Sequence, residues 1–289
     1  MSSSAFPLPP AGAWIGLIAG NGRFPIIFAE NARKLGFRVS AVAHHGETSP
    51  ELEQVVDRMH WVRIGQFGKV IQALKCDGVE QAVMLGGMKK THLFSGVRPD
   101  FRAMTFFAKL KSWKDDQILR AIADDLEEEG ITIRESTFGL SNLVVPEGTL
   151  TRREPSGKER DDVSYGWSIA KDVGRMDIGQ CVVVKDRVIV AVEAVEGTDE
   201  TIRRGARLAR SGAVVVKCCK PQQDLRFDLP AVGPQTIDVM DEAKASVLAL
   251  EAHKTIMLDR EEMLAKAHQA GIAIIGIPDN LGADGCVTV

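Results

Sequence analysis

Two lysines, an arginine and two aspartates are gathered in one short stretch, Lys217-Cys218-Cys219-Lys220-Pro221-Gln222-Gln223-Asp224-Leu225-Arg226-Phe227-Asp228-Leu229-Pro230. Cations in such a cluster offset the charge of a pyrophosphate, and a carboxylate holds a metal or orients a water for attack. Composition alone leaves a surface loop of ion pairs as an equal alternative. A second concentration of acids lies just upstream, in Asp177-Ile178-Gly179-Gln180 and Glu193-Ala194-Val195-Glu196-Gly197-Thr198-Asp199. Thr198 or Asp199 is placed to cap a following helix. Capping does not account for Glu193, which sits within an apolar run where an unpaired charge is costly.

Glycine-rich segments form a third group. Gly20-Asn21-Gly22-Arg23-Phe24-Pro25 stands between an apolar run and a helical pattern. Glycines there let the backbone turn tightly and approach a phosphate, which a helix N-terminus attracts through its free N–H groups and dipole. A dinucleotide fingerprint would need glycine where Pro25 stands and an acid at the end of the next strand, which reads Ala43-His44-His45-Gly46. A nicotinamide cofactor is therefore disfavoured, while another phosphate-bearing ligand, or a mere tight turn, remains open. Ile64-Gly65-Gln66-Phe67-Gly68-Lys69 and Gly86-Gly87-Met88-Lys89-Lys90 also place glycines and lysines at expected strand ends, where open α/β sheets bind ligands. Lys114-Asp115-Asp116 offers carboxylates either to a ligand or to the start of a helix.

Strands alternating with helices must carry these segments. Trp14–Ala19, Val39–Ala43 and Ala82–Leu85 read as strands; helices are expected from Pro25 to Leu35, around Lys69–Leu74 and over Asp116–Glu129. This alternation predicts a parallel sheet with covered faces. Pro146–Asp162 reads as a polar linker. Beyond it, Cys181–Val184 and Val188–Val192 predict a hairpin turning at Lys185-Asp186-Arg187. Helix Glu200–Ala209, strand Ala213–Val216, a helix near Asp238–Ala245, strand Thr255–Leu258 and strand Ile272–Ile277 follow, with Asp259 and Glu262 spaced as a capping box. The fold expected is α/β in two domains, an N-terminal Rossmann-like parallel sheet and a C-terminal mixed α/β domain, with a cleft between them. The segments are 1–12 as a disordered tail, 13–145, the linker 146–161, 162–278 as the catalytic domain, and the tail 279–289.

Bulk properties narrow the classes. A chain of 289 residues with 45% hydrophobic and 26% charged residues has globular composition, and its net charge of −3 gives no bias toward nucleic acid. Five cysteines without a CxxC pair read as small buried residues in a reducing compartment, and the histidines make no zinc spacing. The basic-free start does not read as a secretory signal, and no apolar run reaches membrane-span length. A cytoplasmic protein is expected, with any membrane contact peripheral. Phe101, Met104, Phe106, Phe107, Leu110 and Trp113 form an apolar stripe that reads as core first and as a groove for apolar ligand second.

Taken together, Leu17–Pro25, IGQFGK, DIGQ, AVEAVEGTD and KPQQDLRFDLPAVG resemble the UDP-2,3-diacylglucosamine pyrophosphatases of lipid A biosynthesis, of the type that is not calcineurin-like. The resemblance runs from about Trp14 to Ile277. It implies hydrolysis of a lipid-bearing UDP-sugar to lipid X and UMP, with water attacking the sugar-side phosphate and a divalent cation, Mg2+, required. It places the essential acid at Asp228, with Lys217 and Lys220 beside it as catalytic candidates. Gly20, Asn21, Gly22, Gly65, Phe67, Gly68, Lys69, Gly86, Asp177, Gln180, Gln223, Gly233 and Thr236 become substrate-binding candidates. Glu193, Glu196, Asp199 and Asp228 are the metal candidates; magnesium takes only one or two carboxylates, so not all can be ligands. Met88-Lys89-Lys90 departs from the asparagine- and arginine-containing loop the resemblance implies there. The expected partners are the substrate and the inner membrane surface at its periphery, with a homodimer left open and no nucleic acid. The rival functions are a nucleotide-sugar sensor without catalysis and an NAD-dependent oxidoreductase.

Overall fold

The computed structural model describes residues 9–88, 99–109, 115–227 and 229–278. It divides into two compact units, Met1–Leu140 and Ser141–Val289.

In the first unit, strands β1 (Trp14–Ala19), β2 (Arg38–His44), β3 (Arg58–Val62), β4 (Gln81–Leu85) and β5 (Thr132–Ile133) form one sheet in the order β3-β2-β1-β4-β5. Every pairing is parallel. The order reverses between β1 and β4, so the crevice at their carboxyl ends is where a doubly wound sheet binds ligands. Helix α1 (Phe24–Lys34) carries Pro25 in its first turn, where the missing N–H costs nothing, and buries Ile27, Phe28, Ala29 and Ala32. Helices α2 (Phe67–Cys76), α3 (Phe101–Lys109) and α4 (Asp115–Glu128) complete the described crossovers. Strand β3 was not expected; its residues Arg58-Met59-His60-Trp61-Val62 alternate in polarity only weakly and lie at the sheet edge.

The second unit has a six-stranded mixed sheet in the order β6-β13-β11-β9-β7-β8. These are β6 (Gly148–Thr149), β7 (Cys181–Lys185), β8 (Val188–Val192), β9 (Ala213–Lys217), β11 (Ala245–Glu251) and β13 (Ala273–Ile277). A separate parallel pair joins β10 (Ala231–Val232) to β12 (Ile256–Met257). The expected hairpin forms between β7 and β8, with Asp186 and Arg187 both at positive φ, as a tight primed turn requires. Alternate residues divide the two faces. Val182, Val184, Val214, Val216, Val247, Ala249 and Ile275 pack against Trp167, Ala170 and Val173 of helix α5 (Gly157–Arg175). Cys181, Val183, Val215, Leu248, Leu250 and Ile274 face α6 (Thr198–Ala209), α7 (Pro234–Glu242) and α8 (Arg260–Ala270).

Three expectations are corrected in this unit. The stretch read as a linker contains β6 and opens α5, with a capping box in which Ser156 and Glu159 satisfy each other's backbone N–H groups. Asp259 precedes α8 but makes no side-chain capping bond. The strand expected at Thr255–Leu258 is only the short β12, whereas the long central strand is β11, which shares only Ala245 with the helix expected near Asp238–Ala245 and otherwise falls where no element was expected.

Candidate functional site

Register decides what comes together in the second unit. Cys181 pairs with Lys217, Leu250 also pairs with Lys217, and Val182 pairs with Val192. The residues just before β7 and those just after β8, β9 and β11 therefore share one edge of the sheet. That edge collects Asp177–Gln180, Glu193–Asp199, the segment after Lys217, and Glu251. Backbone bonds lock the first three: Glu193 N–H donates to the Cys181 carbonyl (2.9 Å) and Cys218 N–H to the Gln180 carbonyl (3.0 Å). A Cβ on Gly179 would stand 2.1 Å from the Glu193 carbonyl oxygen, so glycine is there for close backbone approach.

Each acid has a definite partner. Glu193 is buried and accepts from Gln180 N–H (3.2 Å) and from the Thr198 hydroxyl (2.8 Å), which answers the cost of its burial. Glu196 meets Arg204 at 2.6 Å. Backbone hydrogen bonding, its own N–H first, and then Arg204 hold the Glu196 carboxyl below its ordinary pKa. Asp199 accepts from Gln235 at 2.9 Å, and Asp177 from Lys220 at 2.7 Å. Among the described residues no group of three histidines, cysteines or acids is placed to hold a metal ion. Glu193, Glu196 and Asp199 thus do not make a magnesium cage between them. Asp228, the fourth of that set, lies outside the described residues.

The cations occupy different levels. Lys217 is buried and donates to the Ala231 carbonyl at 3.0 Å, tying the start of the 218–230 segment to its end. Lys220 is partly exposed and faces Asp177. Gln223 turns back to accept from Lys220 N–H at 3.0 Å, while Arg226 pairs with Asp224 and lies over Phe227. Gly233 precedes α7 with no side-chain cap, and Thr236 is buried in the first turn of that helix.

In the first unit the glycines do two different things. Gly20 N–H donates to the Leu85 carbonyl and Asn21 N–H to the Gly87 carbonyl. A Cβ on Gly20 would come within 2.3 Å of Gly87 O, and one on Gly86 within 2.5 Å of Asn21 O. These glycines let two chain segments cross at the carboxyl ends of β1 and β4. Gly22 is otherwise: its φ is +86° and its surroundings are open. At Gly65–Lys69, the Gly68 N–H at the start of α2 is taken at 2.8 Å by Asp100, a residue the sequence did not single out. Gly65 itself accepts from Asp100 N–H.

Two further residues at this sheet end were missed. Glu47, buried just past β2, accepts from Asn21 Nδ2 at 2.9 Å. His44 closes β2, with Nδ1 3.1 Å from the Ala19 carbonyl, and burial lowers its pKa. His45 stacks on Trp61, with ring centroids 5.2 Å apart, beside an open concavity lined by Glu47, Thr48 and Pro50. Of the apolar stripe expected as core, Phe101 and Met104 face solvent, 78% and 52% exposed, while Ala103 is the buried one among the described side chains of α3. Lys89, Lys90, Leu110, Trp113 and Lys114 lie outside the described residues, as do the side chains of Phe106, Phe107, Asp115 and Asp116.

Sequence comparison covers both units. The model of the LpxI N-terminal domain matches residues 14–143, and that of the LpxI C-terminal domain matches residues 146–275. A curated relative from Caulobacter vibrioides, the UDP-2,3-diacylglucosamine pyrophosphatase LpxI, is 31% identical over 274 residues, spanning 91% of this chain and 97% of that protein. Solved structures are more distant. The biotin carboxylase domain of a Hydrogenobacter thermophilus 2-oxoglutarate carboxylase gives 11% identity and a TM-score of 0.25, over 60% of this chain and 35% of that one. The precorrin-6A reductase CobK gives 13% and 0.28, over 92% and 88%. Neither score supports an argument about fold or function.

Proposed function

The chain belongs to the LpxI family, and from that premise we propose that it hydrolyses UDP-2,3-diacylglucosamine to UMP and lipid X, with the chemistry centred on the sheet edge that carries Asp177, Glu193, Lys217 and Lys220. It is a hydrolase of lipid A biosynthesis. The observation that best supports this location is the register joining Cys181, Lys217 and Leu250, because it draws cations and acids from three strand ends to one place.

The reaction balances simply. A water oxygen bonds to the sugar-side phosphorus, the bond from that phosphorus to the bridging oxygen breaks, and UMP departs with the bridging oxygen. The water loses its proton to a base, which we assign to Asp228. Lys220 offsets phosphate charge as it develops, because its ammonium is partly exposed and its Asp177 contact is made at the surface. Lys217, buried against the Ala231 carbonyl, sets the shape of the segment. In the first unit, the crossing of Gly20 and Gly86 and the open Gly22 at the start of α1 make a backbone-lined seat that suits phosphate or ribose oxygens. The described acids do not cage magnesium; a cation enters this proposal because the pyrophosphate brings oxygen ligands and Mg2+ needs only one or two carboxylates more.

The test is incubation with UDP-2,3-diacylglucosamine and magnesium in 18O-water. Release of UMP is expected, with the label in the phosphate of lipid X and none in UMP. Label in UMP would refute attack at the sugar-side phosphorus. Binding without release would mark a sensor, and a response to NAD an oxidoreductase. Asp228→Ala is expected to lower turnover about 1,000-fold or more, the scale of losing a general base and its positioning, with the fold kept. Near-normal turnover in that variant would remove Asp228 from the mechanism.

A further inference from the structure

Glu251 closes β11 and its side chain is fully buried. Oε2 accepts the Cys219 N–H at 2.8 Å. Oε1 lies 2.8 Å from Lys171 Nζ of α5 and 3.0 Å from Lys254 Nζ, and it is met by charge, with no hydrogen bond of ordinary geometry. Lys171 in turn rests 5.3 Å from the centre of the Trp167 ring. A buried carboxylate with two ammonium partners is a costly way to fill space, since an apolar residue of similar volume does so without desolvation. Among the described residues, and besides those lysines, the carboxylate holds one N–H, that of Cys219 immediately before Lys220.

That N–H begins the segment the reaction depends on. Residues 218–230 are pinned by Cys218 N–H on the Gln180 carbonyl, by Cys219 N–H on Glu251, and at the far end by Lys217 Nζ on Ala231. Ile256 N–H on the Pro230 carbonyl completes the far anchor. Lys220 and Gln223 lie between these pins, and in the sequence so does Asp228. Of the four, only the Glu251 contact is a charge-assisted hydrogen bond to a loop N–H, and such bonds are roughly twice as strong as neutral ones.

We propose that Glu251, held by Lys171 and Lys254, is a positioning residue that fixes the catalytic segment 218–230 in its reactive geometry. This rests on the hydrolase reading above. Glu251→Gln keeps the shape and an acceptor but loses the charge. Two readouts are compared in the full-length protein below its unfolding temperature: amide exchange in peptides spanning 218–230, and kcat and KM for UMP release per folded molecule.

The expected result is exchange about tenfold faster in that segment, with kcat down about 100-fold, the scale of a misplacement near 1 Å. KM should stay within about threefold, because the contact acts on the reacting geometry more than on ground-state binding. Unchanged exchange and unchanged kcat per folded molecule, with only the unfolding temperature lowered, would overturn the proposal. Should the Gln variant fail to fold, Lys254→Gln decides: it leaves Lys171 on the carboxylate, and kcat is expected to fall about tenfold with faster exchange in 218–230. A normal kcat and normal exchange there would equally overturn it. Wild-type UMP release separately tests the hydrolase reading. If the wild type releases none, that reading fails, while the exchange comparison still decides whether Glu251 holds the segment.

Discussion

At the scale of single residues, glycines that look alike in the sequence have different physical reasons. Gly179 and Gly233 both belong to segments that resemble the pyrophosphatases. Adding a Cβ at Gly179 would put it 2.1 Å from the Glu193 carbonyl oxygen, a backbone atom that cannot give way. Gly179→Ala is therefore expected to cost about 1–3 kcal/mol and to move Glu193 off the Gln180 N–H. Gly233 has φ −155° and would meet Leu258 only at ordinary contact distance, 3.5 Å. Gly233→Ala should stay within about 0.5 kcal/mol of wild type. Urea unfolding of the two variants checks the contrast, and equal losses would contradict it. If Gly233→Ala keeps stability but loses turnover, a ligand rather than the fold requires that glycine. Glu193 illustrates the same point for an acid. Its place in an apolar run marked it as unusual, but only the fold supplies the Thr198 hydroxyl and Gln180 N–H that satisfy it.

At the scale of elements, the capping box at the start of α5 explains why a polar run is ordered. Ser156 accepts from Glu159 N–H, Glu159 accepts from Ser156 N–H at 2.8 Å, and Arg153 meets Glu159 at 2.6 Å. Burial alone would raise the pKa of Glu159, but hydrogen bonds from Ser246, Ser156 and Arg153 hold it at about 2. Because the folded pKa is depressed, the stability it contributes is present above the unfolded carboxyl value and is lost as pH falls toward about 2. Ser156→Ala should cost about 1 kcal/mol at neutral pH. Glu159→Gln should narrow its stability deficit against wild type as pH is lowered from about 5 to 2, as followed by urea midpoints. A deficit constant with pH would show that the charge is not what matters.

The same element shows what sequence could and could not convey. Strand β1, the turn at Gly20–Gly22 and helix α1 are legible because an apolar run, glycines and Pro25 each act locally. The β7–β8 hairpin is legible for the same reason. Helix α5 begins inside Arg152–Asp161, where proline, glycine and charge all signal a loop; only the reciprocal Ser156–Glu159 spacing points to a helix start. Strand β11 follows α7 with only Ala243 and Lys244 between, and a buried apolar run has no periodicity to separate strand from helix. The acids Glu47, Asp100 and Glu251 were missed because their partners, Asn21, Gly68 N–H and Cys219 N–H, are brought to them by topology alone.

At the scale of the whole molecule, the second unit has its own sheet with a core on each face, so it is expected to fold without the first. Where that unit begins is a physical question with a measurable answer. Cutting at residue 162, the boundary the polar run suggests, deletes β6 and the capping box. It also deletes the Leu150 N–H bond to Ile274 (2.9 Å), the Thr151 hydroxyl that accepts from Ile274 N–H (3.0 Å), and the Arg153 bond to the Ser246 carbonyl (3.1 Å). Val145, fully buried in the core, goes with them. One cap and several hydrogen bonds at about 1 kcal/mol each amount to about 3 kcal/mol or more, a large share of a small domain's stability. The loss also bares the edge of β13, an invitation to intermolecular pairing. Fragment 141–278 is thus expected to unfold cooperatively in urea and to run as a single species on size exclusion. Fragment 162–278 should unfold at markedly lower urea and associate. Equal midpoints for the two would mean that residues 141–161 decorate the unit, and that the core between β13 and α5 closes without them.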